Sequence, residues 1–220
     1  MTKIRIVVGD DHPLVQAALA NVFAEVSPEV EIVACYTLDA VLEAVAVAPA
    51  DVDLVLLDLN MPGTYGFAGL FLMLAQYPTV PAAILSAQQD AATIRRAMTF
   101  GASGYVPKSL SLPHMAAAIT AILAGERWTP PHIASLPGMP ADQDLELARR
   151  FASLSPQQMR ILALIVAGKL NKQIAGELNV AEQTIKIHVS TILRKLQVTT
   201  RTQAAVLASK LAAQTGTAEG

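Results

Sequence analysis

The stretch Val52-Asp53-Leu54-Val55-Leu56-Leu57-Asp58-Leu59-Asn60-Met61-Pro62-Gly63 is an apolar run that ends in one carboxylate and breaks at a proline and a glycine. A run this short, bounded by turn residues, fits a strand buried on both faces of a parallel sheet. In such sheets ligands sit beyond the carboxyl ends of the strands, so Asp58 is delivered to the edge where chemistry is done. One aspartate at a strand end can equally cap the next helix. Asp58 has company, however. Ile4 to Val8 leads into Gly9-Asp10-Asp11, Ala82 to Leu85 into Ser86, and Gly104 to Val106 into Pro107-Lys108. Right-handed βαβ connections collect these ends on one edge, where three carboxylates, a hydroxyl and an ammonium face a single crevice. Crowded carboxylates raise one another's pKa unless a cation neutralises them. An all-oxygen set with open positions suits magnesium, which keeps several waters and binds through one or two carboxylates plus phosphate oxygens. A carboxylate can also accept a phosphoryl group covalently, and Ser86 and Lys108 would then bind a phosphoryl group carried by Asp58.

Helical spacing of apolar residues separates the strands. It appears over Pro13 to Val26 (Leu14, Ala18, Val22 and Val26 on one stripe), Leu38 to Ala48, Tyr65 to Tyr77, Ala91 to Phe100 with Gly101 as its stop, and Leu112 to Ala124. The alternation predicts an α/β domain, a five-stranded doubly wound parallel sheet of flavodoxin-like order 2-1-3-4-5. The helix over Tyr65 to Tyr77 carries no charge. Its inward stripe of Phe67, Leu70, Met73, Leu74 and Tyr77 leaves Leu72 on the opposite side and Phe71 on the flank. A helix apolar all round is usually buried, so these two residues point to a second surface, either another copy of the domain or the chain's own C-terminal half. The plain alternative is an exposed apolar pair, which folded proteins tolerate. His12 reads as a cap or surface residue rather than a ligand. The single cysteine, Cys35, reads as a buried core residue with no partner for a disulfide or metal cage.

At 220 residues and 53% apolar composition, the chain has material for one or two cores. Its mean hydropathy of +0.43 raises a membrane reading. Proline, glycine or charge interrupts every apolar run before the roughly 18 residues that a span needs. Met1-Thr2-Lys3-Ile4 runs straight into the first strand and leaves no room for a signal peptide, so a cytoplasmic protein with no membrane partner is expected. The net charge of −2 hides an asymmetry: residues 1–128 carry 6 Lys or Arg against 12 Asp or Glu, and residues 151–220 carry 8 against 3. A basic C-terminal part on an acidic body implies a polyanionic partner for that part, or simply a solvated basic face.

The strand-end residues together resemble a response-regulator receiver domain. The resemblance makes Asp10 and Asp11 the acidic pair, Asp58 the phosphoacceptor, Ser86 and Tyr105 the hydroxyl and aromatic switch residues, and Lys108 the phosphoryl-binding lysine. It implies Mg2+ held by Asp11, Asp58 and the main-chain carbonyl of Asn60, with Asp10 acting largely through water. It also implies that Ser86 and Tyr105 move inward when phosphate arrives. Tyr65 departs from the pattern, because the family often has an acid before the glycine that is here Gly66. Taken alone, Tyr105 would be an ordinary half-buried strand residue.

Residues Trp128 to Pro140 lose periodicity and contain four prolines, which reads as an extended spacer, with Trp128 packed where the first domain ends. Helical spacing returns over Asp142 to Phe151. Ser155-Pro156-Gln157-Gln158 then offers a helix cap, a proline suited to the first helical position and the partner for a capping box. Helices follow up to Gly168, over Asn171 to Leu178, from Glu182 to Leu196, and over Thr202 to Ala212. Two short helices about a tight turn, the second long and basic, make a helix-turn-helix. On the long helix Ile185, Val189, Ile192 and Leu196 form the core stripe. Gln183, Ile187, Ser190 and Arg194 lie opposite, with Lys186 and Thr191 at the margins. An exposed isoleucine amid polar residues suits a thymine methyl, while Gln, Lys and Arg read base edges or grip phosphates. A packing module without DNA is the alternative.

Leu154-Ser155-Pro156-Gln157-Gln158, Gly168-Lys169-Leu170-Asn171-Lys172-Gln173-Ile174-Ala175, Thr184-Ile185-Lys186-Ile187-His188-Val189 and Arg194-Lys195-Leu196-Gln197-Val198-Thr199-Thr200-Arg201-Thr202-Gln203-Ala204 resemble the LuxR-type DNA-binding domain. Ala181 stands where that family usually has Ser or Thr, and losing the cap costs about 0.5 to 2 kcal/mol of helix stability. His188 points toward the flank. The two resemblances together are those of the NarL/FixJ response regulators. The expected division is a receiver over 1–127, a linker with a short helix over 128–152, a DNA-binding domain over 153–214 and a disordered tail over 215–220. The expected contacts to DNA are Gln183, Thr184, Lys186, Ile187, Ser190, Arg194 and Lys195. The expected partners are a cognate histidine kinase, double-stranded DNA, and a second copy in a homodimer on phosphorylation. Two rival readings stand beside this one. An aspartyl phosphatase would also use a strand-end Asp, a Lys and Mg2+, but it usually wants a second acid where Asn60 stands. A regulator controlled by a ligand or a partner without phosphorylation would leave the complete acidic site unexplained.

Overall fold

A computed structural model of the protein describes residues 3–26, 29–64, 66–134 and 142–210. Tyr65, the second half of the spacer and the tail at 215–220 lie outside the described residues. Five parallel strands, β1 (Ile4–Gly9), β2 (Val30–Cys35), β3 (Leu54–Leu57), β4 (Ala82–Ser86) and β5 (Gly104–Pro107), form one sheet in the order β2-β1-β3-β4-β5. The central strands are buried along their whole length, which is why they read as unbroken apolar runs. Register does the rest. Gly9 pairs with Leu57, so the next residues, Asp10 and Asp58, emerge side by side. Ser86 pairs with Pro107, and the Lys108 N–H donates to the Ser86 carbonyl at 2.8 Å.

Helices α1 (Pro13–Val26) and α5 (Leu112–Leu123) cover one face of the sheet, and α2 (Leu38–Val47), α3 (Phe67–Gln76) and α4 (Ala91–Thr99) cover the other. The phase of α1 differs from the expected stripe. Leu14 is 86% exposed and Ala18 is exposed, whereas Leu19, Val22 and Phe23 are buried. The cause is Gln16, whose amide donates to the carbonyls of Val8, Asp10 and Cys35 and so sets the rotation of the helix. Cys35 is free and buried. After α5 the chain returns to the sheet: Trp128 bridges to Gly104, accepts from the Tyr105 N–H at 2.9 Å and packs on the core. The spacer also departs from a purely extended form. Pro131 opens a short helix, α6 (Pro131–Ala134), as proline at a first helical position favours.

The C-terminal helices are α7 (Asp142–Ala152), α8 (Pro156–Val166), α9 (Asn171–Glu177), α10 (Glu182–Leu196) and α11 (Arg201–Lys210). Ser155 and Gln158 make the capping box in both directions. Ala181 leaves α10 without a side-chain cap. These helices share one continuous apolar core with α2, α3 and α4. Helix α3 is the junction. Phe71 and Leu72 are only 4% and 3% exposed. Phe71 stacks on Phe151 of α7 with ring centroids 5.0 Å apart and touches Phe100 at the same distance, while Phe67 meets Phe100 edge-on. Leu72 lines a small pocket with Arg160, Ala163 and Leu164 of α8. The second surface for the uncharged helix is therefore the chain's own C-terminal half. An ion pair between Arg96 of α4 and Asp144 of α7, at 2.8 Å, fastens the same junction.

Candidate phosphoryl site and nucleic-acid face

At the carboxyl edge, Asp10 and Asp58 are buried and Asp11 is partly open. The Lys108 ammonium spans the first two, 2.7 Å from Asp10 Oδ2 and 3.0 Å from Asp58 Oδ2. The other oxygen of the phosphoacceptor candidate, the buried Asp58 Oδ1, closes no hydrogen bond of good geometry among the described residues. Burial pushes the Asp58 carboxyl up, Asp10 adds to the rise, and Lys108 with the Asn60 N–H offsets only part of it. A divalent cation would relieve that cost, and the donor set fits one: Asp10, Asp11, His12 and Asp58 each offer a ligand atom within 4.8 Å of the others.

The turn that carries Asn60 is held by a residue sequence reasoning missed. Thr64 is fully buried, and its hydroxyl reaches the carbonyls of Leu59 and Met61 at 2.8 and 2.6 Å. Only its place just after Pro62-Gly63 could have marked it. Gly63 takes φ +90°, and a Cβ there would stand 3.2 Å from Leu38 Cβ. His12 is the exposed residue expected just before α1, its carbonyl accepting from the Val15 and Gln16 N–H groups, and its ring also lies over the acidic pair, with Nδ1 3.1 Å from Asp10 Oδ1 and 2.9 Å from Asp11 Oδ1.

Ser86 and Tyr105 are both fully buried. The Tyr105 hydroxyl donates to the Gln88 carbonyl at 3.0 Å, and the Gln88 N–H donates to Ser86 Oγ at 3.2 Å. Burial pushes the phenol up to about 12. Tyr105 is thus not half-buried, and it already lies inward in this structure.

On the C-terminal half, α9 and α10 are joined by a turn in which Asn179 adopts φ 52°. Ile185, Ile192 and Leu196 are fully buried and Val189 is half-buried. Gln183, Lys186, Ser190 and Arg194 are exposed, Thr184 is half-buried, and Ile187 is 60% exposed. Lys186 pairs with Glu182 at 3.1 Å. Lys195 does not join them. Its ammonium donates inward to the Ser153 carbonyl at 2.5 Å and to Gln158 Oε1 at 2.9 Å, because its stem runs from the flank of α10 onto the start of α8.

Residues 6–120 match the family described as response regulator receiver domain, and residues 152–208 match bacterial regulatory proteins of the luxR family. The chain belongs to the response regulators that join these two domains. The regulator is 38% identical over 212 residues to the glycerol metabolism activator of Pseudomonas putida, covering 94% of its own chain and 96% of that protein. It is 31% identical to the nitrate/nitrite response regulator NarP of Escherichia coli, covering 94% of each chain. The response regulator RcsB of Salmonella typhimurium shares its fold, with a TM-score of 0.53 at 22% identity over 96% of this chain and 100% of that one. The regulator is thus a two-component, DNA-binding transcription regulator, whose receiver implies a histidine kinase partner. The names of these two relatives refer to different processes, glycerol metabolism and the response to nitrate and nitrite. Among the described residues, no helix is long and apolar enough to cross a membrane.

Proposed function

We propose that a histidine kinase phosphorylates Asp58 and that the phosphoryl group, read by Lys108, Ser86 and Tyr105, controls binding of the C-terminal domain to specific DNA. The observation that carries this reading is the division of labour on one carboxylate: Asp58 Oδ2 is held by Lys108 and buried Oδ1 closes no hydrogen bond of good geometry among the described residues. Asp11, Asp58 and the Asn60 carbonyl would hold Mg2+, with Asp10 acting through water. When bound, the ion supplies positive charge to the phosphoryl oxygens. Lys108 holds the carboxylate in place and supplies the second cation. The protein acts by holding the group as a signal and does not turn over a substrate. The receiver is taken as residues 1–127 and the DNA-binding domain as residues 153–214.

Gln183, Thr184, Lys186, Ile187, Ser190 and Arg194 make the DNA face. That face is open while the two halves are docked, since Ile187 is 60% exposed. Phosphorylation therefore acts by re-orienting the halves and pairing two copies rather than by unmasking α10, and a homodimer would read half-sites about one helical turn apart. The test is DNA affinity with and without a small phosphoryl donor and Mg2+, repeated on Asp58→Ala. The parent protein should tighten its binding on treatment, and the variant should neither label nor respond. A labelled Asp58→Ala protein would overturn the assignment.

A further inference from the structure

The acidic pocket contains a group that an all-oxygen magnesium site does not use. The His12 imidazole places Nδ1 2.9 Å from Asp11 Oδ1 and 3.1 Å from Asp10 Oδ1, with its side chain 63% exposed toward solvent. An octahedral ion with bonds of about 2.1 Å spaces neighbouring ligands about 3.0 Å apart and opposite ones about 4.2 Å. The two nitrogen–oxygen distances match an octahedral edge, and the whole set of Asp10, Asp11, His12 and Asp58 lies within 4.8 Å. The lysine does not compete for this side of the pocket, because it takes Asp10 Oδ2 and Asp58 Oδ2. The Asp11 oxygen facing the histidine and the buried Asp58 Oδ1 are then available beside Nδ1, while Asp10 Oδ1 already accepts from the His12 main-chain N–H at 2.9 Å.

We propose that His12 is a fourth protein ligand, which extends the pocket from magnesium to late first-row divalent ions such as Co2+ and Ni2+. This rests on the reading that the pocket binds a divalent cation at all. Imidazole suits the later first-row metals, whose affinity for mixed nitrogen and oxygen sites rises along the series, whereas magnesium keeps to oxygen and water. Coordination needs the neutral ring with its proton on Nε2, so that Nδ1 offers its lone pair, and the metal bond would replace the hydrogen bond between Nδ1 and Asp10 Oδ1. Metal choice would then tie the regulator's phosphorylation to the supply of such ions, as well as to its kinase.

The test measures the affinity of tag-free, full-length protein for Mg2+, Co2+ and Ni2+ by titration calorimetry, for the parent, His12→Ala and Asp11→Asn, with the visible spectrum of bound Co2+ as a second readout. His12→Ala should lose about tenfold or more in Co2+ and Ni2+ affinity. It should keep its Mg2+ affinity within about twofold, which also shows that the variant is folded, and its Co2+ spectrum should differ from the parent's as expected on losing a nitrogen donor. Unchanged Co2+ and Ni2+ binding, or an equal loss for all three ions, would overturn the proposal, the latter by making His12 an organiser of the carboxylates. A parent protein whose metal binding is untouched by Asp11→Asn would instead overturn the cation pocket itself.

Discussion

One lysine holding two buried carboxylates is a costly arrangement, and its residues can be tested one at a time. Lys108→Ala leaves Asp10, Asp11 and Asp58 facing one another without a fixed cation, and breaking such a pair costs about 3 kcal/mol. Urea denaturation should show that loss, and Mg2+ should restore part of it, because a divalent ion replaces the missing charge. Tyr105 tests burial on the far side of the site. An ordinary phenol ionises near 10, whereas this one is held at about 12. The folded state keeps its proton longer than the unfolded chain does. The stability this contributes is therefore complete below about pH 10. It is lost as the pH rises through about 12. Alkaline absorbance should show one tyrosine titrating late, and Tyr105→Phe should remove that step together with its share of the alkaline loss in stability. Asp10, Asp58, Ser86 and Lys108 were legible in the sequence because each ends an apolar run, and strand ends are ordered by topology. The surface position of His12 was legible too, but its pairing with Asp10 and Asp11 and the inward turn of Lys195 were not, because each partner is reached through a fold-back or a neighbouring helix that periodicity along one segment does not describe.

Among the elements, α3 and α10 repay attention because each breaks a rule for surface helices. Helix α3 carries no outward charge, and its far side is used: Phe71 on Phe151, and Leu72 beside Arg160 and Leu164. Leu72→Glu should leave phosphorylation of Asp58 intact while prising α8 from α3. Calorimetry should then resolve two melting transitions instead of one, and the unphosphorylated protein should change its affinity for DNA. A single transition with resting affinity equal to the parent's would show that the contact carries no coupling. Helix α10 starts at Ala181 with no side-chain cap. Ala181→Ser should stabilise the C-terminal helices by about 1 kcal/mol, measured in thermal or chemical unfolding. The need of α3 for a partner was visible in its composition. The phase of α1 was not, since a glutamine and three carbonyls set it, and α6 arose from a proline that local pattern alone assigned to an extended spacer.

For the molecule as a whole, charge asymmetry translates into salt dependence. Arg194→Ala should weaken binding to every DNA sequence and flatten the salt slope by about one phosphate contact. Lys195→Ala should leave that slope unchanged and lower the melting temperature, because its ammonium ties α10 to Ser153 and Gln158 inside the protein. Ile187→Ala should alter sequence preference, by about 1 to 3 kcal/mol at the base pair concerned. The aromatic ladder from Phe67 through Phe100 and Phe71 to Phe151 bears on something else, the common practice of treating sensor and effector halves as exchangeable parts. A hybrid that grafts α7 to α11 onto a receiver with a charged, solvent-facing third helix would strand Phe151 and Leu164 in water. It would inherit both activities and lose the wiring between them, so compatibility with a foreign receiver is governed by a few apolar side chains far from either ligand.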